Sequence, residues 1–297
     1  MTTQAAIAVA STASQERARV ELTHHAVTLP GLPMELDGLR LVQLSDLHVG
    51  LLFRAGRVRR VVSLTNECRP DLVVLTGDFV SYRGTRFFRK AAPELAALRA
   101  PLGVFACLGN HDYWEGAAQV RAILEGAGVP VLVNESRCLA DGLWLAAVDD
   151  MMSGEPDLAR TIADVPDDDA VILISHNPTI LSHVADRPWL VLSGHTHGGQ
   201  VALPGLGPRG TAALRGIRGF MKLWERTGVW RHGGRPEAIC GTRYPAGWYT
   251  EGRAIMYVSR GVGLNQMWPI RVNCPAEIAC FTLRCALSTE REPGDAQ

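Results

Sequence analysis

Short runs of apolar residues recur along the chain, and each run is bounded by turn residues. Six runs have the length and composition of strands buried on both faces, at 41–44, 72–75, 104–108, 143–148, 171–174 and 190–192. Segments with helix-forming composition and partial 3.6-residue periodicity lie between them, at 55–67, 87–99, 117–125 and 178–185. This alternation of buried strands and crossover helices predicts an α/β fold.

The pattern changes towards both ends of the chain. Further strands are expected at 255–258, 270–273 and 278–283, where they would form a second sheet layer. Residues 1–19 are small and polar without periodicity, which predicts a disordered leader. We therefore expect a single domain over 20–297, with an insertion at about 205–244 that does not fit the alternation of strands and helices.

Composition narrows the class of protein. Hydrophobic residues make up 47% of the chain and charged residues 20%, as in ordinary globular proteins. Thirty basic residues balance thirty acidic ones, so the overall charge favours neither nucleic acid nor an anionic membrane, and any such preference must be local. No nucleic-acid binding is expected.

The cysteine pattern and the hydropathy of the chain indicate the cellular compartment in which the protein is expected. The seven cysteines include no C-x-x-C pair, which favours free thiols in a reducing compartment. No run reaches the roughly 18 to 20 apolar residues of a membrane-spanning helix. We expect a cytoplasmic protein, with peripheral contact at the inner face of the membrane left open.

Five of the predicted strands end on residues that bind metal ions or transfer protons. In chain order these residues are Asp46 and His48, then Asp78, then Asn110, His111 and Asp112, then His176, and finally His195 and His197. Because ligands bind beyond the carboxyl ends of parallel strands, these side chains should converge on one crevice.

The spacing within the motifs has a physical use. Asp46 and His48 are two positions apart, as are His195 and His197, and side chains at that spacing in extended backbone point to the same side. Each pair could therefore face one metal site. The glycine before Asp78 would allow a sharp departure from the strand and a close approach of the backbone to an ion or phosphate.

The residue types indicate which ions fit. Imidazole, carboxylate and amide groups without thiolate suit Mn, Zn, Fe or Ni, and Mn is the first choice. A carboxylate can bridge two cations, and a pair roughly 3.5 to 4 Å apart suits phosphoryl transfer. Asp78 is the candidate bridge. Each motif alone is a weak signal, but five in order at successive strand ends make coincidence improbable.

Together these motifs resemble the five ordered motifs of calcineurin-like metallophosphoesterases, over about residues 39–200. The resemblance implies a two-layered β-sandwich flanked by helices, a centre of two divalent ions, and in-line attack on phosphorus by a metal-bound hydroxide. It assigns the predicted ligands as follows: Asp46, His48 and His197 to one metal, Asn110, His176 and His195 to the other, and Asp78 to both.

The resemblance also implies roles for the residues after Asn110. His111 would lie beside the phosphate and stabilise or protonate the leaving oxygen, and Asp112 would orient His111. Residues 198–200, 258–263 and 273–278 resemble a bacterial branch that includes membrane-associated phosphodiesterases and enzymes similar to UDP-2,3-diacylglucosamine pyrophosphohydrolase. This branch implies a phosphodiester or pyrophosphate bond in a lipid-linked or nucleotide substrate. The alternatives are a phosphomonoesterase, a protein phosphatase, and a non-catalytic metal-binding interaction module.

Substrate contacts are expected from two further places. In the insertion, Leu214, Ile217, Met221 and Trp224 would form one apolar stripe on a helix flanked by basic residues. Such a helix would lie in a membrane interface and contact a lipid substrate through Trp224 and Met221, or would instead be a lid packed on the domain. Arg260, in a glycine-flanked turn after a strand, would contact substrate phosphate or serve only the turn.

Overall fold

The computed structural model describes residues 20–200, 243–264 and 271–286, and these form two β-sheets with helices on their outer faces. The first sheet has the order β1-β11-β2-β3-β4. Its strands are β1 (Val20–Leu29), β2 (Arg40–Leu44), β3 (Leu72–Thr76), β4 (Val104–Cys107) and β11 (Ala276–Cys285). β2, β3 and β4 are parallel to one another, and β11 runs antiparallel to β2 and parallel to β1.

The second sheet has the order β5-β6-β7-β8-β10-β9. Its strands are β5 (Glu135–Ala140), β6 (Leu143–Ala147), β7 (Ala170–Ile174), β8 (Leu190–Ser193), β9 (Gly247–Glu251) and β10 (Ala254–Val258). The four inner strands are parallel, and β5 and β9 pair antiparallel at the two edges.

Five α-helices connect these strands within the described ranges. They are α1 (Ala55–Glu67), α2 (Thr85–Ala91), α3 (Asn110–Trp114), α4 (Ala117–Gly126) and α5 (Leu158–Thr161). Short 3₁₀ segments at Met34–Leu36, Ala92–Ala97, Pro178–His183 and His197–Gly199 complete the connections.

The inner strands are apolar on both faces, since each sheet is covered on both sides there. In β3, Leu72 and Val74 point into the core between the sheets, whereas Val73 and Leu75 pack under the helices. The core between the sheets also receives Leu145 from the second sheet, and a third cluster lies on that sheet's outer face. This arrangement confirms the predicted α/β class and the two-layered sandwich flanked by helices.

Three predicted elements differ from the structure. The helix expected at 87–99 is α2 followed by a 3₁₀ segment, because Pro93 cannot donate the hydrogen bond that an α-helix would need there. The segment at 178–185 is a 3₁₀ helix rather than an α-helix. Residues 271–273 form no strand, and the backbone N–H of Val272 donates to the carbonyl of Gln200.

The other differences concern strands that the sequence pattern does not predict. β1, β5 and β9 are absent from the prediction, and all three are edge strands with half-exposed residues. The leader at 1–19 and nearly all of the insertion at 205–244 lie outside the described residues. Their description, and the single-domain organisation, remain predictions.

The contribution of the core between the sheets to the free energy of unfolding can be tested by mutation. Leu145 is fully buried there, so replacing it with Ala removes apolar contacts and leaves a cavity. Leu145→Ala should lower the free energy of unfolding by about 2–5 kcal/mol, measured by urea denaturation. Leu52→Ala is the matched control, because Leu52 is 49% exposed and its replacement should change the free energy by less than about 0.5 kcal/mol. Equal losses in the two variants would contradict the assignment of this core.

Candidate metal centre

The candidate metal centre lies at the carboxyl ends of five strands taken from both sheets. β2, β3 and β4 of the first sheet, and β7 and β8 of the second, each end just before a loop that carries predicted ligands. The structure brings together all seven of them: Asp46, His48, Asp78, Asn110, His176, His195 and His197. Convergence at strand ends is therefore found as the sequence predicts, although two sheets contribute to it.

The first cluster consists of Asp46, His48, Asp78 and His197, whose donor atoms all lie within 4.8 Å of one another. Nε2 of His48 is 2.9 Å from Nε2 of His197 and 3.4 Å from Oδ2 of Asp78. Nε2 of His197 is also 3.3 Å from Oδ1 of Asp46. All four residues are buried, so two imidazoles and two carboxylates face one point away from bulk water.

The second cluster consists of Asp78, His176 and His195, with donor atoms again within 4.8 Å of one another. Nε2 of His176 lies 3.2 Å from Oδ2 of Asp78 and 3.3 Å from Nδ1 of His195. The amide oxygen of Asn110 is 2.9 Å from that same Nδ1. Asp78 thus belongs to both clusters, and its Oδ2 faces His48 on one side and His176 on the other.

The backbone reaches this arrangement through left-handed conformations. Five of the seven residues have positive φ angles: Asp46 (53°), His48 (43°), Asp78 (56°), His195 (72°) and His197 (53°). The extended backbone expected for both pairs is therefore wrong. Asp46 and His48 still contribute to one cluster, whereas His195 and His197, expected to face one site, belong to different clusters. Non-glycine residues in this region are strained by about 1–3 kcal/mol each and occur where the surrounding structure holds them. Strain concentrated at one polar site indicates function.

Two glycines let the loops approach one another closely. At Gly77, with φ of 83°, an added Cβ would lie 2.7 Å from the backbone nitrogen of Gly109 and 2.8 Å from Nδ1 of His176. A Cβ at Gly109 would lie 2.6 Å from the backbone nitrogen of Asp78. No side chain fits at either position. The close approach found at Gly77 is between loops of the protein, and the expected approach to an ion or phosphate stays a prediction.

Burial sets the protonation of the first cluster. It lowers the pKa of His48 to about 3 and holds the pKa of His197 well below 6.5, with His48 adding to the second shift. Both imidazoles are therefore neutral at pH 7, which is the form that binds a metal ion. Burial also raises the pKa of Asp46 to about 6, to which the charge of Asp78 contributes.

Asp78 stays ionised because of its neighbours. Burial acts to raise the pKa of Asp78, but His176 and His111 together hold it well below 3.8. Burial likewise acts to lower the pKa of His176, and Asp78 outweighs it and holds that pKa well above 6.5. A buried carboxylate of this kind requires positive charge beside it. The donor groups of both clusters, imidazole with carboxylate and amide oxygen, fit a pair of divalent cations.

Groups behind the clusters orient the donor atoms. Nδ1 of His176 lies 2.7 Å from the carbonyl oxygen of Thr76 and donates to it, so Nε2 is the nitrogen that faces Asp78. The hydroxyl of Ser45 donates to Oδ2 of Asp46 at 2.6 Å. Such contacts fix the tautomer of a ligating histidine and the rotation of a ligating carboxylate.

His111 lies beside the clusters and outside both donor sets. Its ring centroid is 4.7 Å from that of His48 and 4.6 Å from that of Trp114. Its backbone N–H donates to Oδ1 of Asp78 at 2.9 Å. Burial lowers the pKa of His111, which favours the neutral imidazole at pH 7.

The contacts of Asp112 differ from the expectation that it orients His111. Its buried carboxylate accepts hydrogen bonds from four backbone N–H groups, at 2.8 to 3.2 Å: those of Asp78, Phe79, Val80 and Gly109. Three of these groups belong to the loop after β3. The carboxylate therefore fixes the loop that carries Asp78, and its first effect is on the candidate bridge.

The three predicted substrate contacts have different outcomes. Arg260 donates to Glu21 at 2.8 Å and to Glu277 at 3.2 Å, and its backbone N–H also donates to Glu277. These contacts favour the alternative in which Arg260 serves the turn, and contact with substrate phosphate stays a prediction. Trp224 and Met221 lie outside the described residues.

Arg271, which none of the sequence motifs indicates, supports Asp46 indirectly. The guanidinium of Arg271 donates to the carbonyls of Gly261 and Gly263 at 3.0 and 2.8 Å. In the same loop, the N–H of Gly263 donates to the carbonyl of Asp46 at 2.7 Å, and that of Val262 to the carbonyl of Ser45 at 2.9 Å. Arg271 therefore holds a loop that lies directly against the first cluster. Nothing in the local sequence around Arg271 distinguishes it from a surface arginine.

Known proteins resemble this chain over the region that carries the site. Residues 39–199 match the family model described as calcineurin-like phosphoesterase. The chain is 33% identical over 272 residues to the uncharacterized metallophosphoesterase YkuE of Bacillus subtilis, covering 89% of this chain and 86% of that protein. It is 28% identical over 259 residues to the phosphodiesterase YaeI of Escherichia coli, covering 82% of each.

A third relative is the UDP-2,3-diacylglucosamine pyrophosphatase LpxG of Chlamydia trachomatis, 28% identical over 225 residues, which cover 59% of this chain and 68% of that protein. The family match spans all five strand-end motifs, and the YkuE match extends over most of both chains. With two donor clusters meeting at those motifs, the chain belongs to the calcineurin-like metallophosphoesterase family.

Proposed function

We propose that the protein hydrolyses a phosphodiester or pyrophosphate bond at a centre of two divalent cations. The observation that carries the proposal is the pair of buried donor clusters that share Asp78. One cation would be held by Asp46, His48 and His197, and the other by Asn110, His176 and His195, with Asp78 between them. Bound cations of this kind lower the pKa of water and offset the charge of a phosphoryl group.

The chain's own residues would position the reacting groups. Hydrolysis forms one P–O bond to water and breaks another in line with it, and the departing oxygen must take up a proton or a hydrogen bond. His111 is suited to that task because its ring lies against His48 without joining either donor cluster. As a neutral imidazole it would donate an N–H to the leaving oxygen, and as an imidazolium it would transfer the proton.

Asp112 would act as a positioning residue. Its four backbone hydrogen bonds fix the loops around Asp78 and Gly109, so it keeps Asp78 between the two cation sites without touching the substrate. Oδ1 of Asp78 accepts from the N–H of His111, which ties the position of the proton donor to that of the bridge.

The nature of the substrate is proposed from the relatives. One is named a phosphodiesterase and another a UDP-2,3-diacylglucosamine pyrophosphatase, so a diester or pyrophosphate of a lipid-linked or nucleotide compound is the class to test first. Mn is the first metal to supply, because imidazole with carboxylate and amide oxygen suits a borderline divalent ion.

The first prediction for this function concerns metal and turnover together. Protein supplied with Mn²⁺ should contain about two ions per chain and hydrolyse bis-p-nitrophenyl phosphate, because the two clusters provide two sites. Metal content is measured by plasma mass spectrometry and hydrolysis by absorbance. Activity that survives exhaustive chelation would refute the mechanism. Two bound ions with no turnover of any ester would instead support the non-catalytic binding module.

The second prediction separates metal ligands from the proton donor. Asp78→Asn should lower metal content and activity together, since a shared ligand is lost from both sites. His111→Gln should keep the metal and slow turnover by about 10² to 10⁴, the usual effect of losing a general acid. The loss should shrink for esters whose leaving group needs no proton.

His183→Gln is the matched control for this pair, because His183 is an exposed histidine in the Pro178–His183 segment. It should change neither metal content nor rate. Loss of metal from His111→Gln would show that His111 is a ligand, contrary to its proposed role.

The third prediction tests the bond that is cleaved. The value of kcat/KM should be higher for bis-p-nitrophenyl phosphate than for p-nitrophenyl phosphate, and UDP-diacylglucosamine, a glycerophosphodiester and a nucleotide should be compared in the same assay. A preference for the monoester would favour a phosphomonoesterase on the same scaffold. Hydrolysis of a phosphopeptide ahead of every diester would favour a protein phosphatase.

A further inference from the structure

A strongly basic surface lies next to the metal centre. Residues 50–60 and 81–90 follow the loops of His48 and Asp78, and together they contain eight basic residues and no acidic ones. The basic residues are Arg54, Arg57, Arg59, Arg60, Arg83, Arg86, Arg89 and Lys90. Because the whole chain has equal numbers of basic and acidic residues, this excess is local and is balanced elsewhere. Among the described residues, only Arg59 of the eight forms an ion pair, with Glu94.

The two segments form one continuous surface. The N–H of Ser81 donates to the carbonyl of Val49 at 3.1 Å, which joins the loop after β2 to the loop after β3. Beyond these loops, the guanidinium groups of Arg54 and Arg86 both lie over the ring of Phe87, at 5.9 and 4.6 Å from its centroid. Arginines that are distant in sequence therefore share one patch.

Exposed apolar side chains stand among these cations. Leu51 is 58% exposed, Leu52 is 49% exposed and Tyr82 is 65% exposed. Phe53 is buried, and its carbonyl accepts from the N–H of Gly50 at 2.9 Å, so a tight loop anchored by Phe53 presents the two leucines to solvent. The guanidinium of Arg83 lies 5.2 Å from the ring centroid of Tyr82. We call Leu51, Leu52, Arg54, Arg57, Tyr82, Arg83 and Arg86 the basic-apolar rim.

The rim adjoins loops that form the metal centre. The hydroxyl of Ser81 donates to the carbonyl of His48 at 2.9 Å. On the far side, the backbone N–H of Arg83 donates to Glu115 at 2.7 Å, directly after Trp114, whose ring contacts His111. Whatever the rim binds is therefore held beside the groups that carry the proposed chemistry.

We propose that the basic-apolar rim docks the protein on an anionic lipid bilayer. Arginines that form no ion pair among the described residues complement lipid phosphates, and a loop tip with two exposed leucines can insert into the acyl boundary while a tyrosine stays at headgroup depth. A nucleic acid would use the arginines and leave the two leucines in water. The docking surface consists of described residues and includes none from the insertion at 205–244. It goes beyond the proposed hydrolysis, because docking needs neither metal nor substrate.

The first arm of the test is co-sedimentation with vesicles in the presence of a chelator. The protein should sediment with vesicles of phosphatidylcholine mixed with phosphatidylglycerol, and not with phosphatidylcholine alone. The triple variant Arg57→Gln, Arg83→Gln, Arg86→Gln should bind the anionic vesicles about 10²-fold more weakly, since each arginine near an anionic surface contributes about fivefold. Leu51→Ser with Leu52→Ser should also weaken binding.

A charge-matched control separates the rim from net charge. The variant Arg137→Gln, Arg160→Gln, Arg253→Gln loses the same charge from exposed positions outside the two segments and should bind as the parent does. Thermal unfolding of each variant checks that it is folded. An equal loss in this control, or no binding of the parent to anionic vesicles, would overturn the proposal.

A nucleic-acid arm completes the test. Tight binding of duplex DNA or RNA that is insensitive to the leucine variant, without vesicle binding, would assign the rim to nucleic acid and overturn the proposal. Sedimentation measures binding and not turnover, so a protein that docks but hydrolyses no ester would refute only the proposed function.

Discussion

The structure depends on keeping one buried carboxylate charged. Asp78 has no access to bulk water, and an isolated anion in that position would be expensive enough to favour its protonation. Its neighbours prevent this: Oδ2 faces His48 and His176, and Oδ1 accepts from the backbone of His111. Bringing these partners to one carboxylate requires loops from β2, β3, β4 and β7 to meet. The two sheets are therefore joined by polar contacts at one end as well as by their apolar core.

The convergence of these loops requires unfavourable backbone conformations. Several loops must turn sharply at the same place, which they do through left-handed residues and through glycines whose missing side chains let backbone touch backbone. Asp112 and Arg271 carry side chains of opposite charge, and both hold loops beside the site in place. One gathers backbone N–H groups and the other gathers carbonyls, and each fixes a loop on one side of the site.

Much of this could be predicted from the sequence because strands buried on both faces leave a strong apolar signal, and polar residues that end such strands stand out. The edge strands β1, β5 and β9 leave no such signal, since one side of each is solvated and its apolar positions are few. The residue types of the site and their order along the chain could be read from the sequence. Their left-handed backbone was not, because the conformation of Asp46 and His48 depends on partners in the loop of Asp78. Arg271 and Asp112 act through backbone groups, which carry no signature of side-chain type.

The position of β11 has a consequence for how the chain folds during synthesis. This strand, which begins at Ala276, lies between β1 and β2, although both of those precede residue 45. During synthesis the first sheet cannot be completed until β11 has been made. Until then β1 has no neighbouring strand in its own sheet, and one edge of β2 is unpaired. Pairings between such distant segments form slowly and leave strand edges exposed meanwhile. The loop of Asp46 and His48 is thus synthesised early, but the sheet that supports it is completed only when β11 pairs with β2.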